Sequence, residues 1–273
     1  MKEVLFMAFN PPWRNTFPPH RIFGNLYFCG SRIASSHVVD TGDGLIMFDT
    51  GYGFCLYQLI DGMYRLGLNP YDIKYIFHTH GHIDHFGGTR ALVEMSGAKT
   101  VIGAKDADAA TGARDLSYAR ELDMEYNEKF TPDILLNDGD EITLGNTTVK
   151  AMATPGHTEG AMSYFFNVTD GVETYRAGLQ GGMGMNTLRK EYLEKFGIPL
   201  SIREDYIKGM DRIKAEHVDL HIGNHMGDNH APEKYEKLMA GDVKAFINPE
   251  DWAISIEEGK KRLYDLLEKE ASL

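Results

Sequence analysis

Short runs of β-branched, aromatic and aliphatic residues, separated by glycine and aspartate, fill the first third of the chain. Runs of this kind predict β-strands, here over residues 21–29, 36–40, 45–48, 73–77 and 100–102. Apolar positions at helical spacing predict helices over residues 54–66 and 86–96. The strand over 73–77 leads directly into a histidine-rich loop.

The second half of the chain repeats this order of strands followed by helices. The predicted strands cover residues 142–144, 148–153, 162–168, 173–177 and 218–222. Helices are predicted over 201–216, 233–239 and 256–269. Ser255 and Glu258 form a capping-box pattern at the start of the last helix. We therefore expect an α/β fold in which helices pack outside a central pair of sheets, in one domain over residues 1–273.

Composition and charge narrow the classes of partner. The 273 residues are 42% hydrophobic and 25% charged, which is typical of a globular protein. Forty acidic residues against 28 basic ones give a net charge of −12, which disfavours nucleic acid as a partner because phosphate binding needs clustered cations. Cys29 and Cys55 are too few for a disulfide framework and are predicted to be buried thiols.

The chain shows no pattern of a targeting or membrane segment. Its first apolar run covers only residues 5–9, whereas a secretory signal needs roughly 7–15 apolar residues. No apolar stretch reaches the length of about 18 residues that a membrane helix requires. We expect no membrane partner and a cytoplasmic location. The alternative is a secreted protein from which a leader has been removed. The oligomeric state is left open.

The histidine-rich loop carries the pattern H-x-H-x-D-H, formed by His80, His82, Asp84 and His85. Residues two apart in an extended loop point the same way, so His80 and His82 can bind one metal ion. Asp84 and His85 are adjacent, point in diverging directions and can bind a second ion. Imidazole and carboxylate ligands suit zinc. The alternative is a surface loop without metal, but such a loop would hold four ionisable side chains close together with no metal ion to offset their repulsion or burial.

A further histidine, His157, lies in a Thr-Pro-Gly-His-Thr segment that directly follows the strand predicted over 148–153. Loops at strand ends are where functional sites are usually built. His157 would supply the third nitrogen that a zinc ion bound by His80 and His82 lacks.

The H-x-H-x-D-H pattern, followed some 70 residues later by P-G-H-T, resembles the metallo-β-lactamase superfamily. The resemblance implies an αββα sandwich of two mixed β-sheets flanked by helices, with two Zn²⁺ ions at one edge. Most members have an aspartate that bridges both ions. The matching segment here is Ala177-Gly178-Leu179-Gln180, and Leu179 cannot bind a metal. The chain therefore looks more similar to the third subclass of metallo-β-lactamases, as does its opening segment with Pro12-Trp13.

This subclass holds its second zinc with Asp, His and His. The resemblance thus implies two sets of ligands, namely His80, His82 and His157 for the first zinc and Asp84, His85 and His225 for the second. His221 and His230 compete with His225 for the last position. The subclass has an Asp six residues before this ligand, which Asp219 reproduces for His225.

The remaining histidines are expected to be structural. His221 is predicted to be a core residue and His230 a solvent-facing one. Structural roles are also expected for four others, which are His20, His37, His78 and His217. For His78, two residues before a ligand, the alternative is a role in orienting that ligand.

The function that the resemblance implies is a zinc-dependent hydrolase in which a metal-bound hydroxide opens a cyclic amide, as in a β-lactamase. Asp84 would also orient the nucleophile and handle its proton. The positive metal site in an acidic chain favours a small anionic substrate. The alternatives are a hydrolase of another cyclic ester or amide, such as a lactone, and a non-catalytic metal-binding member. The stretch over 181–186 is interpreted either as a pocket wall or as a flexible turn.

Overall fold

Two β-sheets form the centre of the molecule in the computed structural model, which describes residues 12–122, 124 and 128–272. The apolar run at 5–9 lies outside these residues. The first sheet has seven strands in chain order, namely β1 (His20–Phe23), β2 (Leu26–Phe28), β3 (His37–Asp40), β4 (Leu45–Phe48), β5 (Ile73–Phe77), β6 (Lys99–Gly103) and β7 (Ile134–Leu136). Neighbours from β1 to β4 run antiparallel, and those from β4 to β7 run parallel.

The second sheet has five strands in the order β12-β11-β10-β9-β8. They are β8 (Glu141–Leu144), β9 (Thr147–Ala153), β10 (Met162–Thr169), β11 (Thr174–Leu179) and β12 (Leu220–Ile222). All neighbours are antiparallel except β11 and β12, which are parallel. Both sheets are therefore mixed, as expected.

The helices lie outside the two sheets. They are α1 (Leu56–Arg65), α2 (Ile83–Phe86), α3 (Thr89–Ser96), α4 (Ala107–Thr111), α5 (Lys190–Phe196), α6 (Ile202–Lys214), α7 (Ala231–Met239) and α8 (Pro249–Ala271). Leu59 of α1 and Leu92 of α3 pack on the outer face of the first sheet. Tyr206 of α6 and Trp252 of α8 pack on the outer face of the second. This layering confirms the expected αββα sandwich.

Aromatic side chains from both sheets fill the layer between them. Phe48 of β4 stacks on Phe166 of β10 with ring centroids 4.8 Å apart, and Phe77 contacts Tyr164 at 5.4 Å. The Tyr164 hydroxyl also donates a 2.7 Å hydrogen bond to the carbonyl of His78, just beyond β5. The buried contact fixes the start of the histidine-rich loop against the second sheet.

Two expectations about local structure are wrong. The strand predicted over 21–29 is a hairpin, because Gly24 turns the chain with φ +51° between β1 and β2. The last helix begins at Pro249 instead of residue 256. Asn248 accepts a hydrogen bond from the Glu250 amide, and an Asn cap followed by proline is a strong start signal. Ser255 lies inside the helix and donates to the Asp228 carbonyl, so it caps nothing.

Two other expectations concern cysteines and membranes. Cys29 and Cys55 are buried free thiols, as predicted. Among the described residues, no helix combines the length and the apolar character needed to cross a bilayer.

Candidate metal centre

The first group of possible ligands brings together His80, His82 and His157. The ligand atoms of the three side chains lie within 4.8 Å of one another, and all three residues are buried. His80 and His82 come from the loop after β5, and His157 comes from the loop after β9. The two loops meet because β5 and β9 end at the same edge of the sandwich, where the Met162 amide donates to the Thr79 carbonyl at 2.8 Å.

The imidazoles of this group are poised to donate lone pairs. Burial, reinforced by neighbouring histidines, lowers the pKa of His80 and His82 well below the usual value. Burial likewise lowers the pKa of His157 to about 4. The Nε2 atoms of His80 and His82 are buried without a hydrogen-bond partner among the described residues. A buried polar atom is normally satisfied, so these two nitrogens fit a metal ion.

The second group contains Asp84, His85 and His225, again with ligand atoms within 4.8 Å of one another. Asp84 Oδ2 lies 3.3 Å from His85 Nε2 and 3.7 Å from His225 Nε2. His225 is placed by the loop after β12, where its Nδ1 donates to the Ile33 carbonyl at 2.8 Å. This bond leaves Nε2 turned toward Asp84.

His85 is oriented by Asp49, a residue that the sequence reasoning missed. The His85 Nδ1 donates to Asp49 Oδ2 at 2.7 Å, so Nε2 is free to bind a metal. Asp49 also accepts from the amide and the hydroxyl of Thr79. Asp49 is buried, and its backbone adopts the left-handed conformation with φ +54°. The available signal was a carboxylate placed directly after the buried strand β4.

The electrostatics of the second group differ from those of the first. Burial opposes a charge on His85, but Asp84 and Asp49 outweigh it and raise the pKa of His85 to about 10. The neighbouring histidines lower the pKa of Asp84 despite its burial. Two carboxylates therefore surround His85, which gives this half of the centre the negative charge that a divalent cation needs.

The glycine-rich stretch over 181–186 packs closely on His157. A Cβ at Gly182 would lie 2.6 Å from the His157 ring, and one at Gly184 would lie 2.7 Å from it. The Gly184 carbonyl accepts a 2.9 Å hydrogen bond from His157 Nδ1. Residues of this stretch also line a cavity that ligands of both groups face. It is thus a pocket wall that fixes a possible ligand.

Asp106 braces the two loops that carry the first group, and sequence reasoning missed it as well. Its carboxylate accepts from the Gly81 amide, the Thr158 hydroxyl and the Gly160 amide at 2.6–2.8 Å. Burial outweighs these hydrogen bonds and raises the pKa of Asp106 to about 6. A link between residues 25 and 54 positions apart leaves no local signal in the sequence.

The other histidines lie outside both groups. His221 is buried and its Nε2 bonds to Gln180 Oε1 at 2.9 Å, whereas His230 is exposed. His78 is buried and bonds to the Thr89 hydroxyl and the Val101 carbonyl, and neither of these partners is a proposed ligand. His20 and His37 are buried, and His217 is exposed. Leu179 packs in the core between the sheets, and a bridging ligand from this position is absent.

The model of the metallo-beta-lactamase superfamily matches residues 29–172, which include the H-x-H-x-D-H and P-G-H-T segments. The chain belongs to the metallo-beta-lactamase superfamily. Two solved structures are similar over nearly the whole chain. Native FEZ-1 metallo-beta-lactamase from Legionella gormanii is 27% identical, with a TM-score of 0.86 over 95% of this chain and 98% of that one. BJP-1, a subclass B3 metallo-beta-lactamase of Bradyrhizobium japonicum, is 28% identical, with a TM-score of 0.86 over 97% and 98%.

These two structures confirm the predicted similarity to the third subclass within the superfamily. Relatives found by sequence match a shorter part of this chain. Hydroxyacylglutathione hydrolase of Brucella anthropi is 34% identical over 93 residues, which cover 34% of this chain and 28% of that enzyme. The match spans about a quarter of the length of the first curated relatives. The superfamily and its hydrolase fold are therefore established.

Proposed function

We propose that this chain is a zinc-dependent hydrolase that opens a cyclic amide, in the manner of a β-lactamase. The observation that carries the proposal is the pair of three-ligand groups that face one cavity of about 430 Å³. His80, His82 and His157 form the first group, and Asp84, His85 and His225 form the second. Similarity to two metallo-beta-lactamases over nearly the whole chain supports the same conclusion.

The donor set fits zinc, which favours imidazole and carboxylate ligands. Zinc bound in such groups supplies Lewis-acid stabilisation of a carbonyl oxygen and lowers the pKa of a coordinated water to about 7. The chain's own residues then have separate tasks. Asp49 holds the imidazole of His85, and the Gly184 carbonyl holds that of His157. Asp84, with 14% of its side chain exposed, is the carboxylate placed to accept a proton from the attacking water.

The walls of the cavity suit a small, partly apolar substrate. Tyr52, Tyr118 and Leu122 line one part of it, and Met183 and Met226 line another. Ring centroids of Tyr118 and His82 lie 5.5 Å apart, which places an aromatic ring directly beside the first group. Apolar walls around a few convergent polar groups are typical of a small-molecule site.

The test compares turnover of a chromogenic cephalosporin with turnover of a homoserine lactone by the same zinc-loaded preparation. Metal content is measured in parallel by plasma emission spectrometry. We expect about two zinc ions per chain and faster hydrolysis of the cephalosporin. Full activity after removal of all metal would end the proposal of a metal-dependent hydrolase. Turnover of the lactone alone would overturn the β-lactamase assignment.

A hydrolase of another ester is the second candidate. It is favoured by the 34% identity to a hydroxyacylglutathione hydrolase over 93 residues. The same ligand groups would serve this reaction, since ester and amide hydrolysis both need an activated water and a stabilised oxyanion. Turnover of the lactone without turnover of the cephalosporin would support this second candidate.

A further inference from the structure

Two arginines, Arg32 and Arg262, line the same cavity as both ligand groups. Most arginines in the described part of the chain are paired with a carboxylate within 4 Å, for example Arg203 with Glu270 and Arg176 with Glu216. Neither cavity arginine has such a partner among the described residues. Although Asp84 and Asp228 line the same cavity, neither forms an ion pair with these arginines, so both guanidinium groups are available to bind an anion.

Arg32 lies beside the second ligand group. The next residue, Ile33, provides the carbonyl that accepts from His225 Nδ1. The Arg32 amide donates to the Asn15 carbonyl at 2.7 Å, which anchors the backbone at this point. The guanidinium group itself lies over the ring of Phe17 at 5.1 Å. Arg32 is therefore already engaged in a cation–π contact.

Arg262 reaches the cavity from the long C-terminal helix α8. One turn earlier, Gly259 lets the helix pack tightly, because a Cβ there would lie 2.8 Å from Met183 Sδ. Met183 belongs to the glycine-rich wall that packs on His157. Among the described residues, the Arg262 guanidinium donates one hydrogen bond, from Nη2 to Met183 Sδ at 4.0 Å, and a thioether is a weak acceptor. Most of its donors are thus free to bind a ligand.

We propose that Arg262 binds a carboxylate of the substrate, with Arg32 as a second and weaker source of positive charge. This inference rests on the proposed hydrolase function and assigns the residue that would recognise a carboxylate near the scissile bond of the cyclic amide or ester. The two arginines are the permanent cations among the described residues that line the cavity. A guanidinium group suits a carboxylate because its planar donors can form two parallel hydrogen bonds.

The first experiment measures KM and kcat for a chromogenic cephalosporin and for its methyl ester. The variants are Arg262→Ala, Arg262→Lys and Arg32→Ala. We expect Arg262→Ala to raise KM for the free carboxylate about tenfold, the size of a partly exposed charge-assisted contact, and to leave the ester within twofold. Arg262→Lys should recover part of the loss, and Arg32→Ala should have a smaller effect.

Lys261→Ala is the matched control. It removes the same charge from the neighbouring position of α8, where Lys261 pairs with Asp265 outside the cavity. We expect no change in KM for either substrate. Equal losses for Lys261→Ala and Arg262→Ala, or equal effects of Arg262→Ala on the acid and the ester, would overturn the proposal.

A binding experiment that needs no turnover separates this inference from the proposed function. The Arg262 Nε–Hε signal is assigned in NMR spectra by its loss in Arg262→Lys and is followed during titration with benzoate or with neutral benzamide. We expect benzoate alone to shift the signal. A signal that responds to benzoate in a protein that hydrolyses no cephalosporin would uphold the anion site and refute the β-lactamase function. Absence of any benzoate response would refute the anion site, whatever the turnover.

Discussion

His80, His82 and His157 are almost wholly buried, whereas His225 in the other ligand group exposes 42% of its side chain. The first group is held from both sides, by the Asp106 carboxylate on its two loops and by the glycine-rich wall on His157. His225 depends on the Ile33 carbonyl and on a 3.2 Å bond from its amide to Asp228. The first group is thus the more rigid half.

The two halves also differ in charge. Burial keeps the three imidazoles of the first group neutral, while Asp84 and Asp49 surround His85 in the second. A rigid set of neutral donors binds a metal through geometry, and a set with carboxylates adds electrostatic attraction. Because the first half is buried and held from both sides, we expect it to exchange its metal slowly, whereas the exposed His225 should let the second half exchange its metal more readily despite the added attraction of its carboxylates.

His157→Ala provides the strongest test of this comparison. Loss of a ligand from the rigid half should reduce the zinc content from about two ions to about one and lower kcat/KM at least about thousandfold. Metal analysis and steady-state kinetics would measure both. His230→Ala, which removes an exposed histidine outside both groups, should retain the full metal content and activity. Two bound zinc ions in His157→Ala would contradict the assignment.

His225→Ala tests the more exposed half. We expect loss of one zinc ion but a smaller decrease in activity, about a hundredfold, because the buried half remains complete. Titration with a chelator should remove zinc from the second half of the wild-type protein before the first. Equal affinities of the two sites in that titration would contradict the difference that we expect between the two halves.

Asp49→Asn tests how far the second half depends on its support. The amide can keep one oxygen near Thr79 but can no longer accept a charge-assisted bond from His85 Nδ1 as a carboxylate does. We expect zinc affinity of the second half to fall about 10- to 100-fold, with the first half unchanged. Competition with a fluorescent chelator would measure both affinities, and an equal loss at the two sites would show that Asp49 acts on the whole centre.

The smallest effect concerns His221, which supports the loop of His225 through Gln180 and Asp228. Burial lowers the pKa of His221 to about 3, below the value of about 6.5 for an unfolded chain. Between about pH 3 and pH 6.5, His221 is therefore protonated in the unfolded state but not in the folded state. Its contribution to stability is therefore complete above about pH 6.5 and is lost as the pH falls toward 3, by up to about 1.4 kcal/mol per unit.

Urea unfolding of the metal-free protein at pH 7.5, 6.0 and 5.0 would measure this effect. The difference in free energy of unfolding between the wild type and His221→Gln should shrink as the pH falls. A constant difference for His221→Gln would show that His221 does not titrate in this way.

The parts of the site that could be predicted from the sequence are those with local patterns. His80, His82, Asp84 and His85 lie within six positions, and the strand before them, Ile73–Phe77, has the predicted bounds. For Asp49 the one local signal is its place directly after the buried strand β4, and for Asp106 there is none. Their roles arise only when β4, β5 and β6 align in parallel and bring their carboxyl ends together.

Helix α8 also shows what a local sequence pattern can and cannot predict. Its periodicity was clear from residue 256 onward, but the Asn-Pro signal seven residues earlier decides where it begins. The contact between Gly259 and the wall beside His157 was not predictable, because it joins segments more than 70 positions apart. Sequence patterns therefore predicted the layers of the fold better than the contacts that complete its cavity.

The glycines that pack on His157 have a consequence for how this pocket can be altered. Because Gly182 and Gly184 leave no room for a side chain, diversity in this segment is confined to neighbours such as Met183, Met185 and Asn186. Libraries randomised at those three positions should retain catalysts with new selectivity. Libraries that also vary the two glycines should be dominated by inactive clones, since each added methyl group would displace an imidazole.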